Sequence, residues 1–114
     1  MKIETAFTKM MNIQYPIIGA PMFLVSNTDM VVAISEAGGI GTIPSLNYRP
    51  ESAFTEALKE IKSRTQKPIG VNIIVNKSNS RAQVDLKASL NHGVELLITS
   101  LGSPKEVITE ALKQ

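Results

Sequence analysis

The most conspicuous residue with chemical potential is an amide inside an apolar segment. Asn72 interrupts the run Val71-Asn72-Ile73-Ile74. A buried amide needs hydrogen-bond partners, and it offers both a donor and an acceptor to a ligand ring. The residues alone favour a simpler role, in which Asn72 bonds local backbone at a strand end. Both interpretations remain open at this point.

Groups that transfer protons or bind metals are scarce. The sequence has one histidine, His92, and no cysteine. It therefore excludes a disulfide framework, a thiolate zinc site, an iron–sulfur cluster and a cysteine nucleophile. His92 precedes Gly93 at a predicted helix end, where the helix dipole favours a histidine. The sequence predicts neither a catalytic residue nor a metal ligand.

The carboxyl ends of the apolar runs, with the residues just after them, contain small, apolar, amide and hydroxyl residues but no charged acid or base. They are residues 20–23, 44–45, 72–75 and 99–100. Such a set can hold a flat, neutral ring by backbone hydrogen bonds and close packing. Met22 and Phe23 would either contact a cofactor or only close the mouth of a barrel, and composition leaves both roles open.

These segments belong to a repeated strand–helix pattern. Apolar runs predict strands over residues 15–20, 40–44, 68–75 and 94–99, and helices are predicted over about 30–37, 50–61, 80–91 and from residue 104 onwards. Parallel strands joined by right-handed helical crossovers give this alternation. The fold class is therefore α/β, either as a doubly wound open sheet or as part of a (β/α)8 barrel.

Glycine and capping residues refine this prediction. Ser26 or Asn27 is a candidate N-cap of the first helix, and Gly38 is its stop signal. Ser103 and Glu106 have the spacing of a capping box before the last helix. A doubly wound nucleotide fold would need its glycines after the first strand, which is not where they lie. The pattern favours a barrel, whose site is built at the carboxyl ends of the strands.

Composition and charge exclude other classes of function. The 114 residues are 43% hydrophobic, and 12 Lys and Arg against 10 Asp and Glu give a net charge of +2 with no basic patch. Nucleic-acid binding is not expected, because it needs clustered cations. No apolar run approaches the length of a membrane span, and the N-terminus has no cleavable hydrophobic stretch. We expect a cytoplasmic protein.

Three segments resemble a known family in order and spacing. YPIIGAPM (residues 15–22), SEAGGIG (35–41) and KPIGVNI (67–73) are similar to successive N-terminal signatures of the nitronate monooxygenases. Members of this family are FMN-dependent (β/α)8 enzymes, related to the flavin-dependent enoyl-acyl-carrier-protein reductases. The resemblance implies that residues 1–114 are four N-terminal βα units, the first half of an FMN-binding TIM barrel.

The resemblance also implies a site and a reaction. An alkyl nitronate would be oxidised with O2 to a carbonyl compound and nitrite, while the protein holds the flavin ring and excludes water. The FMN-contacting positions implied by the family are Ala20, Pro21, Met22, Phe23, Asn72 and Ile74.

Two parts of the family pattern are missing. A Gly-Gly-His segment carries the catalytic base of the family, and glycine-rich turns late in the barrel hold the phosphate; His92 does not match that segment. We therefore expect these residues by themselves to be inactive, and open sheet edges to favour homo-oligomers. The alternatives are an enoyl-acyl-carrier-protein reductase-like enzyme, a non-catalytic flavodoxin-like module and a flavin-free structural fragment.

Overall fold

The computed structural model describes residues 3–114, which form a parallel sheet and the helices that connect its strands. The strands are β1 (Ile18–Gly19), β2 (Ile40–Pro44), β3 (Ile69–Ile74) and β4 (Leu96–Ser100). The helices are α1 (Ala6–Met11), α2 (Thr28–Glu36), α3 (Glu51–Arg64), α4 (Ala82–Asn91) and α5 (Lys105–Ala111), with a 3-10 turn at Ser45–Asn47.

The strands pair in chain order, β1-β2-β3-β4, and every pair is parallel. A helix follows each strand and returns the chain to the start of the next one. The predicted α/β class with consecutive parallel βα units is confirmed. The carboxyl ends of all four strands therefore lie at the same edge of the sheet.

The two faces of β3 have different surroundings. Ile69, Val71 and Ile73 are completely buried in the cluster that the helices form against the sheet. Asn72 and Ile74 point to the opposite face, because side chains alternate along a strand, and both are partly exposed. The helix-covered face is the core, and the other face is free to line a site.

The close approach of helix α2 to strand β2 explains why residue 41 is a glycine. A Cβ added at Gly41 would lie 2.4 Å from the carbonyl oxygen of Val31 in α2. No rotamer change relieves a clash with backbone, so any larger residue must push α2 away from β2. The lack of a side chain at Gly41 therefore allows α2 to pack close to β2.

The sequence signals at helix ends have mixed outcomes. Asn27 is the N-cap of α2, with its Oδ1 accepting from the N–H of Met30 at 2.8 Å, and Gly38 has the left-handed φ of +107°. The predicted capping box of Ser103 and Glu106 is wrong. Pro104 occupies the N-cap position of α5, so Ser103 lies one residue too early to cap it.

Two elements differ from the predicted ones. β1 pairs over only two residues, because the chain before it bonds the Gly38 region and not a strand. Helix α1 was not predicted. It is capped by Thr5, which exchanges hydrogen bonds with Thr8, a pair that is less diagnostic in sequence than Ser with Glu.

Candidate functional site

A cavity of about 340 Å³ lies at the carboxyl ends of β1, β2 and β3. This volume is within the usual range of about 300–1,000 Å³ for ligand pockets. The cavity brings together four of the six residues that the family resemblance implies, but neither Ala20 nor Met22 is in its wall. The lining residues are Pro21, Phe23, Pro44, Leu46, Arg49, Asn72 and Ile74.

Asn72 is the polar group at the centre of this wall. Its Nδ2 donates to the carbonyl oxygen of Ile98 at 3.0 Å and to Oγ of Ser100 at 3.2 Å, both in β4. Within residues 3–114 its Oδ1 has no hydrogen-bond partner. The amide therefore bonds the neighbouring strand and not local backbone, and its acceptor remains available to a ligand.

Ala20 and Met22 act through their backbone in the loop after β1. The Ser26 hydroxyl donates to the carbonyl oxygen of Ala20 at 3.0 Å and accepts from the N–H of Met22 at 2.8 Å. Asn47 reaches the same loop from the turn after β2. Its Oδ1 accepts from the N–H of Leu24, and its Nδ2 donates to the carbonyl oxygen of Ser26, each at 2.8 Å. The backbone of the loop is held in one conformation.

The side chains of this loop are apolar and exposed. Met22, Phe23, Leu24 and Val25 have exposed fractions between 43% and 72%. A fixed backbone that presents apolar side chains is suited to packing against a flat, largely apolar ligand. Sequence reasoning found Met22 and Phe23 but missed Asn47 and Ser26, which hold them in place.

An ion pair between Arg81 and the buried Asp85 contacts the turn after β2. The Arg81 guanidinium donates to Oδ1 of Asp85 at 3.0 Å, and it also donates to the carbonyl oxygens of Ser45 and Tyr48. Asp85 is fully buried. Burial, together with the negative charge of Glu60, raises the pKa of the Tyr48 phenol. The i,i+4 spacing of Arg81 and Asp85 was the available sequence signal for this pair.

Titratable groups are sparse at the cavity. Arg49 is the one charged residue in its wall. His92 lies at the C-terminal end of α4, at the opposite end of the βα unit, with its Nδ1 2.8 Å from the carbonyl oxygen of Ala88. In residues 3–114 no three His, Cys, Asp or Glu side chains form a metal-binding group. The site can bind and orient a ligand, but its own side chains supply no general base.

The fold and the cavity together define a class of protein. Consecutive parallel βα units with a ligand cavity at the carboxyl edge are the arrangement of (β/α)8 barrel enzymes. Residues 4–111 match the family described as nitronate monooxygenase. The chain belongs to the nitronate monooxygenase family.

Individual relatives agree with this assignment. The chain is 37% identical over 71 residues to a nitronate monooxygenase of Pseudomonas aeruginosa, covering 62% of this chain and 20% of that protein. It is 28% identical over 114 residues to a (3aS,4S,5R,7aS)-5-hydroxy-7a-methyl-1-oxo-octahydro-1H-indene-4-carboxyl-CoA dehydrogenase of Mycobacterium tuberculosis, covering 100% of this chain and 31% of that protein.

A solved structure gives the same answer for the fold. FabK of Thermotoga maritima superposes with a TM-score of 0.89 at 29% identity, covering 98% of this chain and 35% of that one. The four βα units thus form part of a (β/α)8 barrel. The chain spans about a third or less of the length of these relatives. In residues 3–114 no helix is long and apolar enough to cross a membrane.

Proposed function

We propose that this chain provides the flavin-ring side of an FMN-dependent oxidoreductase that oxidises alkyl nitronates with O2 to a carbonyl compound and nitrite. The observation that carries the proposal is the cavity that unites Pro21, Phe23, Asn72 and Ile74 at the carboxyl edge of the sheet. Membership of the nitronate monooxygenase family supports the reaction. We also propose that residues 1–114 form the first half of the barrel and that the flavin is FMN. The proposed location of the protein is the cytoplasm.

The residues of the cavity fit a flavin. Pro21, Phe23 and Ile74 give apolar walls, and the free Oδ1 of Asn72 can accept a hydrogen bond from a ring N–H. FMN, when bound, supplies the redox chemistry with O2. The chain's own residues hold and orient the ring, and the fixed loop after β1 keeps water from one side of it.

A second candidate function has a specific observation in its favour. Two of the relatives are named as a carboxyl-CoA dehydrogenase and as FabK. We therefore retain, as the alternative, a flavin-dependent enzyme that reduces an enoyl thioester with NAD(P)H. Both candidates use the same cavity for the ring and differ in the substrate placed against it.

Two measurements test the proposal. FMN titration is expected to give saturable quenching of flavin fluorescence, and the full-length parent protein, loaded with FMN, is expected to release nitrite from propionate 3-nitronate under air. NAD(P)H-dependent reduction of an enoyl thioester without nitrite release would support the alternative. A protein that purifies colourless and binds no FMN on titration would contradict both.

A further inference from the structure

A second cavity adjoins the first. It has a volume of about 470 Å³ and lies between the turn after β2 and the loop after β3. Leu46, Arg49 and Ile74 line both cavities. The two cavities are therefore neighbours that share part of their lining.

The charge around the two cavities has one sign. Neither cavity is lined by an Asp or Glu side chain, whereas Arg49 lines both. Arg49 is exposed and makes no ion pair or side-chain hydrogen bond with residues 3–114. The other arginine at the second cavity, Arg81, is already paired with buried Asp85. One uncompensated cation remains, at the junction of the two cavities.

Further donors belong to the loop after β3. Ser78 and Ser80 line it, and their hydroxyl groups have no hydrogen-bond partner within residues 3–114. Asn79, between them, is already used: its Nδ2 donates to the carbonyl oxygen of Ile74, and its Oδ1 accepts from the N–H of Arg81. One free guanidinium and two free hydroxyls in the lining of one cavity are a donor set for an anionic oxygen group.

We propose that the second cavity is a substrate subsite for an anionic group, a carboxylate or a phosphate, and that Arg49 determines specificity by pairing with it. The inference rests on the proposed function, since it assumes that the reacting end of the substrate lies at the first cavity. It goes beyond that function because it assigns an anionic group to the substrate and names Arg49 as the residue that would bind this group.

The kinetic test compares two nitronates that differ mainly in one carboxylate, propionate 3-nitronate and propyl 1-nitronate. Arg49→Gln in the FMN-loaded full-length parent protein is expected to raise the KM ratio of the charged to the neutral substrate about tenfold, the loss typical of one charge-assisted hydrogen bond. Arg49→Lys, which keeps the charge but loses the fork of donors, should give a smaller change.

Arg64→Gln is the matched control. It removes the same charge from α3, where Arg64 pairs with exposed Asp29 at 2.7 Å and lines neither cavity. This variant should leave the KM ratio unchanged. An equal effect of Arg49→Gln on both nitronates, or an equal effect of Arg64→Gln on the ratio, would overturn the assignment.

A binding measurement separates this inference from the proposed function. Calorimetric titration of the protein with 3-nitropropionate and 1-nitropropane needs no turnover, so it reports on Arg49 even if nitrite is never released. 4′-Phosphopantetheine and pantetheine form a second pair that differs in one phosphate. Preference for the charged member of either pair, lost in Arg49→Gln, supports the subsite and identifies its anion. No preference in either pair rejects the subsite.

Discussion

Asn72 divides its hydrogen-bonding groups between structure and ligand. Its two donor hydrogens bind β3 to β4, at Ile98 and Ser100, and its acceptor has no partner within residues 3–114. An aliphatic residue in this position would leave the carbonyl oxygen of Ile98 without that donor and would remove the polar group from the cavity wall. The amide is thus the point at which the sheet and the proposed flavin site depend on the same side chain.

Substitution of Asn72 should affect both properties. Asn72→Ala is expected to lower the free energy of unfolding by about 1 kcal/mol, the usual net value of such hydrogen bonds, and to weaken FMN binding about tenfold. Urea unfolding and quenching of flavin fluorescence measure the two effects.

Ser100→Ala is the control, because it removes the contact at 3.2 Å but leaves the Asn72 acceptor in place. It should lower stability slightly and leave the FMN dissociation constant within about twofold of the parent value. Equal losses of FMN affinity in the two variants would mean that the amide only supports the strand.

At the scale of elements, the turn after β2 holds the loop after β1. Both groups of the Asn47 amide bond that loop, at Leu24 and Ser26. Asn47→Ala leaves the N–H of Leu24 without its partner, so hydrogen exchange at this amide should accelerate about tenfold. Backbone exchange followed by NMR or mass spectrometry measures it.

Asn91→Ala provides the comparison for this experiment. Asn91 is exposed at the end of α4, and its side chain has no hydrogen bond within residues 3–114. Exchange at Leu24 should be the same as in the parent protein. If Asn47→Ala also left the exchange rate unchanged, the loop would be held by Ser26 and its own packing.

The pair of Arg81 and Asp85 holds the same turn from the side of α4. Arg81→Met would leave the Asp85 carboxylate buried without its cation, which typically costs about 3–5 kcal/mol. The double variant Arg81→Met with Asp85→Leu should recover most of this loss, because it removes the unpaired charge as well. Urea denaturation of the two single variants and the double variant measures the coupling. Additive losses would show that the two side chains act independently.

Most elements with strong local signals were predicted well, the capping box of Ser103 and Glu106 being the exception, and elements defined by distant contacts were not. The Gly38 stop and the Asn27 cap can be recognised within a few residues of sequence, and the structure has both. The length of β1 depends on which backbone groups of the neighbouring segments are free to pair with it. A local sequence pattern does not contain this information. The partnership of Asn47 with the loop spans 21 to 23 residues, and Asn47 has no flanking signature of that role.

At the scale of the whole molecule, the sheet has two edges and exposed apolar side chains near them. β1 and β4 are the outer strands, and Ile17, Ile18 and Leu101 are 59%, 43% and 71% exposed. Unpaired strand edges beside apolar surface favour association between chains. The sequence-based expectation of homo-oligomers is the same, whereas the flavodoxin-like alternative is excluded by the strand order β1-β2-β3-β4.

Sedimentation velocity tests this expectation for the 114-residue chain. We expect dimers or larger species, and we expect Ile18→Lys to shift the population toward monomer by placing a charge beside the edge strand. Val84→Lys is the control, since Val84 is 44% exposed on α4 against 43% for Ile18. A monomer that melts cooperatively would show that the strand edges do not drive association.

The strand order has a consequence for how the chain acquires its structure. Within residues 3–114, β2, β3 and β4 each pair with the strand made just before them. As the polypeptide leaves the ribosome, every new βα unit finds its docking surface already assembled. Such vectorial growth keeps the sequence separation of paired strands small and favours rapid, stepwise folding during translation.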